Sequence, residues 1–202
     1  MDETWEPTVR RWLLFIYRIP SEPPGPRTYV WRQLKGLGAT YLQQAAAILP
    51  DRPDLREALN VLATRVIASG GEASLLDTTS PDPAWEAEAI ARFNQARDAE
   101  YAELFENVER LEDEIARESR RGKFSFAKLE DLEADWEKLT RWRERIVAHD
   151  FFGAGGRRDV DTEMACARAA PDRFTVDVLA QADSDSEGDR PVSLAKTSEN
   201  PG

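Results

Sequence analysis

Arg18, Arg27, Arg32 and Lys35 carry the most usable chemistry in this chain. Arg18 closes an apolar run and Arg27 follows a proline-rich loop. Arg32 and Lys35 are three apart, which puts them on one side of a helix. Such cations suit the phosphates of DNA and supply affinity that is mostly independent of sequence and sensitive to salt. Arg18 and Arg27 also flank the loop from Ser21 to Arg27, which opens a helix. Guanidinium forks and backbone N–H groups there are the donors that a tetrahedral oxyanion needs. The bland alternative for all four is a solvated face with a few ion pairs. Arg10 and Arg11 read as a basic lead-in.

No other group competes with these. One His and one Cys leave no multi-histidine or multi-thiolate metal centre and no disulfide. His149 reads as a surface residue at a helix end, and Cys166 as a bystander in an unstructured tail. Trp31 and Trp136, at helical spacing, read as core. Glu112-Asp113-Glu114 and Glu130-Asp131 are solvated faces, because consecutive helical residues point in different directions. A metal-dependent nuclease on this architecture would want a carboxylate where the first strand ends, and that end is Tyr17-Arg18-Ile19. No catalytic residue, metal or cofactor is expected, and the chain reads as a non-enzyme.

Of 202 residues, 27 are Lys or Arg and 38 Asp or Glu, a net charge of -11. A uniformly basic nucleic-acid coat is excluded. The charge is uneven: residues 1–80 are neutral overall, 81–150 carry -7 and 151–202 carry -4. Between Pro7 and Gly38 the only acid is Glu22, and the balance there is +5. The longest apolar run near the start, Trp12 to Tyr17, is too short for a membrane span or a signal-peptide core. A cytoplasmic location is expected.

The elements that must position these cations alternate. Trp12-Leu-Leu-Phe-Ile-Tyr17 reads as a strand buried on both faces. Val30, Leu34 and Leu37 form the stripe of a helix ended by Gly36 and Gly38. Thr40–Leu42 and Ala46–Leu49 are short strands. Leu55, Leu59, Leu62, Ala63 and Val66 stripe a second helix, and Ala73–Leu76 is the last strand. The order β-α-β-β-α-β over residues 1–80 is that of a ferredoxin-like sandwich, an α+β fold. In residues 81–152, Asp82-Pro83 caps a helix. Its Tyr101, Leu104, Val108, Leu111 and Ile115 step as a coiled-coil seam. Arg120-Arg121-Gly122 stops it, and Ser125 caps a return helix with Leu129, Leu132, Trp136, Leu139 and Ile146 in register. A long antiparallel helical hairpin follows. Residues 153–202 show scattered single apolars and an acidic stretch, Asp183 to Asp189, and read as a disordered tail.

The run Trp12-Leu-Leu-Phe-Ile-Tyr-Arg-Ile-Pro-Ser21, then Arg27, then Val30-Trp-Arg-Gln-Leu-Lys-Gly-Leu-Gly-Ala39 and Leu49-Pro50, resembles the N-terminal domain of the ChrB chromate-resistance proteins. Arg92-Phe93, Tyr101, Glu103, Gly122-Lys-Phe124 and Trp142 to Phe152 extend the likeness, which covers about residues 9–152. The Arg-x-x-Val-Trp-Arg-x-Leu block is similar in kind to the PaaX family of bacterial transcriptional regulators. The resemblance implies a regulator of a chromate efflux operon that binds operator DNA as a homodimer and responds to chromate or a similar oxyanion. Residues 153–202 do not resemble the second domain with which full-length members continue, so a truncated or frame-shifted end is one expectation. The alternative function is a non-enzymatic interaction and dimerisation module that uses the helical arm.

Overall fold

A computed structural model describes residues 10–20, 22, 25–80, 82–121, 125–169, 172 and 174–180. The order is β1 (Arg11–Arg18), α1 (Gly25–Gly36), β2 (Thr40–Gln43), β3 (Ala46–Pro50), α2 (Pro53–Ala68), β4 (Glu72–Thr79), α3 (Pro83–Arg121), α4 (Phe126–Ala148) and α5 (Gly156–Ala167), with a further helical stretch at 174–180. The strands form one sheet in the order β2-β3-β1-β4, every neighbouring pair antiparallel. The fold is α+β and mostly helical.

β1 sits inside the sheet, and its alternation divides the core. Leu13 and Phe15 face one side, where they pack with Val30 and Leu34 of α1, Ala47 and Leu49 of β3, and Leu55, Leu59, Leu62 and Val66 of α2. Trp12 faces the other side with Ile48, and there Ala89 and Phe93 of α3 cover it, with Phe151 and Phe152 alongside. Trp12 and Phe93 stack with centroids 5.9 Å apart. Both Trp12 and Leu13 are wholly buried, as a two-faced strand requires. The Trp12 indole Nε1 is buried with no acceptor among the described residues.

The helix ends follow local chemistry. Ala84 N–H donates to Asp82 Oδ1 at 2.9 Å, and Lys128 N–H donates to Ser125 Oγ at 3.3 Å. α1 ends where Gly38 takes φ +74°, while the Ala39 N–H reaches back to the Leu34 carbonyl at 3.0 Å. The expected Gly122–Phe124 turn lies outside the described residues.

The described residues divide into two compact units: those within 10–103 and 142–160, and those within 104–141 and from 161 onward. The division does not fall at residue 80. The first part of α3 belongs with the sheet, because Ala89 and Phe93 cover the Trp12 face. In the second unit Leu104, Val108, Leu111 and Ile115 of α3 and Leu129, Leu132 and Trp136 of α4 are buried, and Lys128 pairs with Glu114. Trp136 is core, as its spacing predicts.

The expectation of a disordered tail from residue 153 is corrected. Gly156–Ala167 is helical and residues 174–180 are helical, with Val160, Met164, Ala167, Phe174 and Val178 buried. Val160, Met164 and Ala167 step by four and three, and Phe174 and Val178 by four. Single apolars among charges looked scattered, yet they were one face of a helix. Asp98 Oδ1 accepts from the Gly156 N–H at 2.8 Å and ties the start of α5 to α3. Cys166 therefore lies on α5, exposed and free. The acidic stretch Asp183–Asp189 lies outside the described residues.

Candidate nucleic-acid interface

α1 is pinned to the sheet by Val30 and Leu34, which turns its opposite side outward. Arg27, Trp31 and Lys35 step by four along one outer ridge, with Thr28 and Arg32 beside it. Arg27, Arg32 and Lys35 are exposed, and among the described residues none of them has a carboxylate within ion-pair distance.

Their neighbours in sequence differ. Arg10 pairs with Glu86 at 3.1 Å, and Arg11 with Asp51 at 3.4 Å, so neither is a loose lead-in. Arg18 is opposite Glu72 in the β1–β4 register, and its Nη2 donates to Glu72 Oε1 at 2.6 Å. The sheet therefore hands Arg18 an anion of its own, and that cation does not add to the α1 face. The expected oxyanion loop is only partly visible: Ser21, Pro23 and Pro24 lie outside the described residues. Of its two flanking arginines, Arg18 is paired with Glu72 and Arg27 has no ion pair among the described residues.

Trp31 is not core. It is 49% exposed, and the Lys35 ammonium lies 5.5 Å from its ring centroid. At about 100° per residue Trp31 falls about 60° from Leu34 and about 100° from Val30, on the far shoulder of the stripe. The Val30-Leu34-Leu37 pattern contained that signal.

Two cavities flank α1. One, about 460 Å³, is lined by Tyr17, Arg27, Thr28, Trp31, Tyr41 and Gln44. The hydroxyls of Tyr17 and Tyr41 are 3.3 Å apart, and burial, with Tyr17 beside it, holds the Tyr41 phenol above its ordinary pKa. The other, about 390 Å³, brings Arg32 and Lys35 together with Glu100, Glu103, Trp142, Arg145 and His149, among others. Glu100 and Glu103, from the acidic segment 81–150, thus share a cavity with Arg32 and Lys35. They arrive because this part of α3 is packed on the sheet.

His149 is half-buried, not a surface residue. Burial, and then the neighbouring Arg97, push its pKa below the usual histidine value. Arg97 is 7% exposed; its Nη2 donates to Glu100 Oε1 at 3.1 Å, while Nε and Nη1 have no partner among the described residues. Sequence reasoning passed over Arg97, although it occupies a place in the four-step series Ala89, Phe93, Arg97, Tyr101. The Glu112 carboxyl is raised by burial and by Glu163 next to it. Among the described residues no group of three His, Cys, Asp or Glu side chains could hold a metal, and no helix is long and apolar enough to cross a membrane.

The architecture defines a small α+β sheet domain elaborated by long helices, with a cationic outer helix. The chain belongs to the ChrB family: it matches the family model described as "Protein ChrB, N-terminal" over residues 27–185. It is 32% identical over 158 residues to Protein ChrB of Cupriavidus metallidurans (strain CH34), covering 72% of this chain and 48% of that protein. The chain thus spans about half the length of this curated relative. No solved structure matches. The family match runs through α5, so residues 153–185 are part of the family's N-terminal region and not an alien tail.

Proposed function

We propose that this chain is the DNA-contacting part of a chromate-responsive regulator of an efflux operon, acting by binding and not by catalysis. The sheet with α1 and α2 on one face serves as a ferredoxin-like platform, and α1 is the contact element. One observation carries the reading: in a protein of net charge -11, Arg27, Arg32 and Lys35 point outward from one helix with no ion pair among the described residues. Unpaired cations on one face are what phosphates require, whereas paired ones have already lost most of their field. Membership of the ChrB family supplies the chromate context. Arg27, free where Arg18 is engaged, is the residue left for a small oxyanion. A homodimer in the cytoplasm is the expected working form.

The test is a titration of the protein against its promoter and against random duplex at several salt concentrations. Preference for the promoter supports specific recognition, and equal affinity removes it. Arg27→Ala and Arg32→Ala should each reduce the salt slope by roughly one.

A second reading draws on Glu100 and Glu103, whose place in the Arg32–Lys35 cavity weakens the field there. In it the helical hairpin docks a partner or a second copy, and the sandwich is only a platform. Self-association in solution without any DNA affinity would favour this module.

A further inference from the structure

We infer that the cavity between α1 and the strand ends of β1 and β2 is a mononucleotide site, with the base against Trp31 and the phosphate on Arg27. The two cavities beside α1 differ in lining: one mixes acids with cations, and the other holds a cation among aromatic and neutral polar side chains. Glu100 and Glu103 line the smaller one beside Arg32, Lys35 and Arg145, so its cations already have carboxylates for neighbours. Among the described residues no acid lines the larger one, which at about 460 Å³ falls in the range of small-ligand sites.

Its lining divides into two kinds of surface. Trp31, Tyr17 and Tyr41 are aromatic, and Trp31 is half-exposed although Val30 and Leu34 already anchor its helix. The Lys35 ammonium lies over the Trp31 ring. An exposed indole held in this way is a platform for a planar heterocycle. Among the described residues Arg27 is the one charged residue of the lining and has no ion pair, so it supplies the counter-charge for a phosphate. Gln44 carries both a donor and an acceptor, which can read the edge of a base. The tyrosine hydroxyls bond to each other, and the raised Tyr41 pKa keeps that hydroxyl neutral, so it presents no charge to repel the phosphate.

A free nucleotide and an unpaired nucleotide of a strand share this chemistry. Calorimetry on the full chain separates them, with adenosine monophosphate, adenosine, inorganic phosphate and a short single-stranded oligo(dA) as probes. The monophosphate should bind saturably, and adenosine and phosphate at least about tenfold more weakly. Trp31→Ala and Arg27→Ala should each weaken the monophosphate about tenfold. Both side chains are exposed, and a thermal melt checks that the variants stay folded. Arg110→Ala, which removes an exposed cation of α3, should leave binding as it was. Tighter binding of the oligonucleotide assigns the site to a strand, and binding no tighter than the monophosphate assigns it to a free nucleotide. Monophosphate affinity no better than that of phosphate, or indifference to Trp31→Ala, would overturn the assignment. No duplex enters this experiment, so it fails or succeeds independently of the promoter titration.

Discussion

Gly38 and His149 meet with no room for a methyl group between them: a Cβ on Gly38 would lie 2.7 Å from the His149 Cβ. The same added carbon would be 3.3 Å from Arg97 Nη1. Gly38 also ends α1 at φ +74°. One residue therefore both stops the cationic helix and receives the end of α4.

Gly38→Ala should cost about 2–4 kcal/mol, from left-handed strain together with the clash. Denaturant unfolding measures it. His149→Gly in the same chain should recover part of the loss, because it removes the atom that the new methyl meets. A cost below about 0.5 kcal/mol would show that the contact gives way freely.

His149 makes stability pH-dependent in a defined direction. Its folded pKa lies below the unfolded value, because burial and Arg97 disfavour the imidazolium. The unfolded chain therefore binds the proton first. Stability is full above about pH 6.5 and falls as the pH drops through the unfolded value. Melting temperatures between pH 7.5 and 5.5 should decline in the native chain, and decline less in His149→Gln. Parallel profiles would clear His149 of the effect.

Trp12 and Phe93 stack in the same core, but the two rings should respond differently to change. Phe93→Ala removes a ring from the sheet's second face and should cost about 3–5 kcal/mol. Trp12→Phe loses volume but also removes a buried indole N–H that lacks an acceptor. Its cost should be smaller, about 1–2 kcal/mol. Equal losses on chemical denaturation would mean that the orphan N–H is satisfied after all.

If duplex DNA lies along α1, Arg18 and Arg32 are not equivalent. Arg18 spends its charge on Glu72 at the sheet, whereas Arg32 has no ion pair among the described residues. Arg32→Ala should weaken DNA binding about three- to tenfold at low salt, and Arg18→Ala by less than twofold. Electrophoretic titration decides it; a reversed order would move the contact from α1 to the sheet edge.

Much of the fold was open to local reading. Leu13 and Phe15 against Trp12 marked a two-faced strand, and Asp82 and Ser125 announced their caps. The steps among Leu104, Val108, Leu111 and Ile115 marked a buried stripe. A sparse period hides its element. Val160, Met164 and Ala167 form a helical face that charged neighbours disguised. A large aromatic at helical spacing is not a core residue by that alone: Trp31 lies off its own helix's stripe and is half-exposed. The candidate site was legible as a set of cations, and only partly as a surface.

The sequence by itself determined where the four strands and helices α1 to α4 run and which apolar stripe those helices bury, because periodicity and capping act between residues a few positions apart. Only the tertiary structure decided which cations remain free. Arg18 lost its field to Glu72, 54 positions away in the chain, and Arg32 came to share a cavity with Glu100 and Glu103. A charge is neutralised by whatever the fold brings within a few ångströms, and sequence spacing does not measure that distance.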